Sequence, residues 1–139
     1  MKKGLKVDVY IARVTAIALL VITGVSALGG GAMLVLDPTG ALLGFGPLDL
    51  AGTFFPDFRV PGLILLLLIG VFNLLVAGLT VNKAKSYPTL ILLQGGILTG
   101  WILAQVYLLP VTHFLQLVFG SIGLMLMLLG SLLGSRRAL

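Results

Sequence analysis

Four stretches of the chain, roughly 14–36, 60–81, 88–109 and 111–134, stay apolar for about 20 residues or more. At 1.5 Å per residue, a helix of that length crosses a hydrocarbon core of about 30 Å. This pattern predicts an all-α fold, a four-transmembrane-helix antiparallel bundle. The chain reads as one integral membrane domain over 1–139, with a partly structured loop, 37–59, between helices 1 and 2. Composition agrees: 59% of the 139 residues are hydrophobic and 9% charged, far from the balance of a soluble domain.

The charged residues fall in the gaps between the apolar stretches. With the N-terminus inside, the inner side holds Lys2, Lys3, Lys6, Arg13, Lys83, Lys85, Arg136 and Arg137 against Asp8, which is 8 − 1 = +7. The other side holds Arg59 against Asp37, Asp49 and Asp57, which is 1 − 3 = −2, and the two sum to the net +5. Basic residues in short loops mark the cytoplasmic face. Both termini are therefore expected in the cytoplasm and the chain in the plasma (inner) membrane. Basic ends suit an anionic inner leaflet, so membrane lipids are the expected partners and nucleic acid is not. The start, MKKGLK followed by AIALLVITG, is like a secretory signal. Its apolar run continues through Leu34–Leu36, so an uncleaved signal anchor is expected.

Several features punctuate the spans. Helix 1 carries Gly24, Ser26 and the run Gly29-Gly30-Gly31, and helix 4 carries Gly120, Gly123, Gly130 and Gly134. Small residues let helices approach closely in lipid, so both seams are candidate interfaces for self-association. The triple glycine is also expected to loosen the end of helix 1. In the loop, Asp37-Pro38 and Thr39-Gly40 open a turn, and Pro47 starts a short helix through Leu50.

Two groups of polar residues stand out. Asn73 in helix 2 and Gln94 in helix 3 lie at similar depths, about 20 Å from the outer end and about 9 Å from the inner end of their helices. An unpaired amide in hydrocarbon costs several kcal/mol. The two are expected to form an intramembrane clamp, bonded to each other or to a backbone carbonyl. The second group lies near the outer boundary: Gln105, His113 and Gln116 within about 8 Å of it, and Asp49, Asp57 and Arg59 from the loop. Trp101 shares a helical face with Gln94 and Gln105 and makes a floor beneath this outer group. This group is either a ligand pocket above an apolar cleft or a latch in which Arg59 pairs with Asp57 or Asp49 and pins the loop.

Other chemistry is missing. With no Cys there is no disulfide and no thiol catalysis. One His and no Cys or Glu argue against a protein-built metal site, and no cofactor is expected. No apolar span carries an acid in its interior, so the usual carboxylate proton relay is missing. A His113–Asp base with Arg59 as electrophile is the one enzymatic arrangement available, and it ranks last.

The order of the Gly-rich first helix, Asp37-Pro38-x-Gly40, Leu43-Gly44, Thr53-Phe54-Phe55-Pro56-Asp57-Phe58, Pro61-Gly62-x-x-Leu65, Gly100-Trp101 with Gln105, and Gln116 before Gly120 resembles a group of small four-helix integral membrane proteins of bacteria. The similarity covers about residues 20–125 and implies the four-helix topology and no assigned activity. In that group the proline of the loop motif precedes the phenylalanine, an order from which Phe55-Pro56-Asp57 departs. The leading functional reading is a non-catalytic structural or accessory subunit, a homo-oligomer or part of a larger membrane complex. The alternative is a lipid or small-molecule binding or transport protein that uses the outer polar cleft.

Overall fold

The computed structural model describes residues 2–43, 55–108 and 114–137. The predicted Pro47–Leu50 helix, Asp49 and His113 lie outside them. Among the described residues the chain is helical and contains no strand. Helix α1 runs Lys2–Leu36, and a 3-10 turn follows at Ala41–Leu43. The second span is built from α2 (Arg59–Ile64), a π-helix (Leu65–Val71) and α3 (Phe72–Val81). Helices α4 (Tyr87–Leu108) and α5 (Phe114–Arg137) complete the chain. Four helical stretches, Asp8–Leu36, Arg59–Val81, Tyr87–Tyr107 and Phe114–Ser135, are long and apolar enough to cross a membrane. The chain therefore has the make-up of a multi-pass membrane protein.

The helices form a ring in chain order. Helix α1 packs on the second span and on α5, while α4 packs on α5 and on α3. Residues that recur at helical spacing fill the centre: Ala12, Ala16, Leu20 and Ala27 of α1, Ile69 and Val76 of the second span, Ile91 and Leu98 of α4, and Leu126, Leu129 and Leu133 of α5. Only 22–33% of each span's most apolar window is buried inside the protein. The rest of each apolar surface faces outward, as suits helices that meet lipid.

Glycine sets the tightest contacts, and it does so inside the chain. A first side-chain carbon at Gly31 would sit 2.7 Å from the backbone nitrogen of Leu66, and one at Gly24 would sit 2.8 Å from Leu74. Across the last hairpin, a carbon added at Gly95 would sit 2.7 Å from the Met127 nitrogen, and one at Gly130 would sit 2.6 Å from the Leu92 nitrogen. Such approaches leave no room for a side chain. Of the seam glycines of helices 1 and 4, Gly24, Gly31, Gly123 and Gly130 are filled by neighbours of the same chain, whereas Gly29 has nothing within 4 Å. The triple glycine does not loosen α1, which stays helical to Leu36.

Both described connections are organised by hydrogen bonds. At the loop end, Asp37 Oδ1 accepts the Thr39 hydroxyl at 2.7 Å and the Thr39 N–H at 3.3 Å, so the Asp-Pro-Thr-Gly turn caps itself. The Phe58 N–H donates to the Pro38 carbonyl at 2.8 Å, which ties the two ends of the loop together. At the opposite end, α3 closes with the Ala84 N–H on the Leu79 carbonyl (2.9 Å) and the Lys83 N–H on the Thr80 carbonyl (3.1 Å). Those six-to-one and five-to-two bonds are the Schellman closure. Its left-handed position is Lys83, at φ 55°, where glycine is the usual residue.

Candidate functional site

The π-helix organises the polar centre of the bundle. The Phe72 N–H reaches back five residues to the Leu67 carbonyl. Once α3 resumes the four-residue register, Asn73 pairs with Ile69. The change of register skips one acceptor, the Leu68 carbonyl. A bare carbonyl in hydrocarbon costs several kcal/mol. Gln94 supplies the missing donor from the neighbouring helix: its Nε2–H donates to the Leu68 carbonyl at 3.1 Å. The Asn73 Nδ2–H donates to the next carbonyl, Ile69. Both amides are fully buried. Asn73, from its own helix, and Gln94, from the neighbouring one, thus donate to consecutive carbonyls of one irregular turn.

Those bonds use the amide nitrogens and leave the oxygens over. Asn73 Oδ1, Gln94 Oε1 and Thr23 Oγ1 are buried and have no hydrogen-bond partner among the described residues. Thr80 and Thr99 donate to the carbonyl four residues back, Val76 and Gly95, as helical threonines in lipid commonly do. Thr23, 1% exposed, does not. It lies next to Gly24, where an added carbon would sit 3.2 Å from Asn73 Cβ. Thr23, Asn73 and Gln94 each lie within about 5 Å of the middle of their spans at 1.5 Å per residue. Sequence reasoning missed Thr23, because a threonine in an apolar helix signals nothing until its back-bond is seen to be lacking.

The second predicted group divides between the two halves of the ring. Asp57 Oδ1 accepts the Arg59 N–H at 3.0 Å, one of the donors that the start of a helix leaves unsatisfied. The link between these residues runs through the backbone, and the Arg59 side chain is exposed. Helix α2, which begins at Arg59 just after Asp57, packs on α1. In the other half, the Gln116 Nε2–H donates to Gln105 Oε1 at 3.3 Å and joins α5 to α4. Gln116 is buried and Gln105 half-buried. Trp101 lies one turn below Gln105, half-buried, and its Nε1–H is buried without a partner among the described residues.

Beside the Gln105–Gln116 pair, α4 and α5 leave a groove of about 300 Å³ lined by Thr99, Ile102, Leu103, Gln116, Gly120 and Leu124 among others. Leu103 and Leu124 are exposed, so the groove opens to the outside of the bundle. Among the described residues no group of three or more His, Cys, Asp or Glu is placed to hold a metal ion. No family, curated protein or solved structure matches the chain.

Proposed function

We propose that the chain is a small inner-membrane protein of bacterial type, both termini cytoplasmic, that acts as a non-catalytic structural or accessory subunit and associates with itself or a larger membrane partner. One observation carries the association. Gly96 and Gly100 sit four residues apart on α4, and a side chain added at either would meet nothing within 4 Å. The glycines that pack helices inside the ring leave no such space. A G-x-x-x-G pair facing outward on a membrane helix lets a second helix approach closely. The outer polar groups fit a structural role as well: Asp57 serves the start of α2, and Gln116 ties α5 to α4.

Native mass spectrometry of the protein extracted in its own lipids tests this reading. It is expected to report a homo-oligomer or a co-extracted partner, and a Gly96→Leu/Gly100→Leu variant is expected to shift the population to the single chain. A wild-type protein found only as a single chain, with no partner, sinks the association.

A second reading, lipid binding, is favoured by the α4–α5 groove. Its walls are apolar, and the Gln116 amide stands at one end, the pairing of surfaces that an acyl chain with a polar head would meet. In the same spectra this reading predicts a bound lipid that Gly120→Leu removes.

A further inference from the structure

The midplane layer presents three buried oxygens and little to satisfy them. Asn73 Oδ1 and Gln94 Oε1 are pure acceptors. Their own nitrogens are held on the Ile69 and Leu68 carbonyls, which fixes the direction in which the oxygens point. The Thr23 hydroxyl can donate or accept, and it has not turned to its own helix. Leaving all three dry at the centre of an apolar span would cost several kcal/mol per group. The layer therefore calls for a ligand that donates twice and accepts at least once.

Charge narrows the choice. None of the apolar stretches 14–36, 60–81, 88–109 and 111–134 contains a Lys, Arg, Asp or Glu. A cation in this layer would meet only neutral oxygens and no counter-charge, an expensive state in low dielectric. The occupant is then uncharged. Water is the smallest molecule with the required two donors and an acceptor.

We infer that Thr23, Asn73 and Gln94 form an internal binding site for an uncharged hydrogen-bond donor, with water as its resident ligand. The water donates one hydrogen to Asn73 Oδ1 and one to Gln94 Oε1, and accepts the Thr23 hydroxyl hydrogen. The site stands beside the Leu65–Val71 turn, where the helical register is broken, and such π segments are frequent at functional positions. This goes beyond the proposed role as a subunit and does not depend on association.

Proton-detected solid-state NMR of the full chain in phosphatidylcholine liposomes, with magnetisation started on water, tests the inference. Transfer to the side-chain amides of Asn73 and Gln94 is expected to build up as it does at exposed Asn82, and faster than at the backbone amides of lipid-facing Leu67 and Leu75. Thr23→Val keeps the shape and removes the donor, and it is expected to lower the transferred signal about fivefold, the equivalent of one neutral hydrogen bond. Transfer no faster than at Leu67 and Leu75 would show a dry layer and overturn the site. Asn73 and Gln94 amide shifts that move when sodium chloride replaces choline chloride would overturn it in favour of a cation. Unchanged transfer in Thr23→Val would overturn the three-oxygen geometry.

Discussion

Gln94 is the residue on which the second span most depends. It is the donor for a carbonyl that its own helix has skipped, so its loss is felt at a distance from its own backbone. Gln94→Leu is expected to destabilise the protein by about 1–3 kcal/mol, the cost of a buried group left without its partner. Reversible unfolding of the purified chain in mixed micelles measures this. Gln105→Leu, which removes one side-chain hydrogen bond between membrane helices, is expected to cost nearer 0.6–1 kcal/mol, roughly the mean for such pairs. If the two variants are equally mild, the Leu68 carbonyl is not the burden described. Lys83 is the opposite case. A left-handed residue with a β-carbon stores about 1 kcal/mol of strain, so Lys83→Gly is expected to raise the unfolding free energy by about that amount.

At the scale of elements, the glycines fall into two populations that composition alone cannot separate. Gly31→Leu and Gly130→Leu push a side chain into a neighbouring backbone 2.6–2.7 Å away. Overpacking of that kind costs about 1–3 kcal/mol, or more when backbone must move. Gly29 stands two residues from Gly31 with nothing within 4 Å. Gly29→Ala is therefore expected to be neutral or to stabilise α1 by up to about 1 kcal/mol, the helix-propensity difference. Thermal unfolding of the three variants side by side decides between them. The sequence shows where helices exist, because length and hydropathy are local properties; the observed spans begin and end within a few residues of the apolar runs, except that α1 starts at Lys2, well before its apolar run. It does not show which glycine meets which helix, because that follows from how each helix is rotated in the ring. For the same reason Asn73 and Gln94 were legible as a buried pair while their partners were not. The register slip at Leu65–Val71 leaves no trace in an unbroken run of leucines.

The whole molecule is an antiparallel ring whose charges sort to opposite ends. The described turn at Lys83 and the loop around Leu42 lie at opposite ends of the second span and its connections. The proposed orientation predicts that they also lie on opposite sides of the membrane. With no cysteine in the chain, single Leu42→Cys and Lys83→Cys variants report sidedness cleanly. In intact cells an impermeant maleimide is expected to modify position 42 and to spare position 83. The reverse pattern would invert the topology drawn from the basic residues. The outer polar residues show where sequence reasoning stops at this scale. Depth along each helix placed Arg59 level with Gln105 and Gln116, yet depth says nothing about which side of the ring each helix occupies. Arg59 stands on the α1 side, while the two glutamines join α4 to α5.

The π segment also bears on the chain's tolerance of change. The five-residue register of Leu65–Val71 leaves one carbonyl, that of Leu68, without a donor from its own helix. Deleting a single residue from Leu65–Leu68 should let the span run as an unbroken α-helix, with every carbonyl matched by its own backbone. The shortened protein would then have no use for the Gln94 amide, and a glutamine that stabilised the fold would become the unsatisfied group. In that background Gln94→Leu turns from a lesion into a remedy. The five-residue register and the Gln94 amide are therefore coupled: a change in one alters what the other contributes.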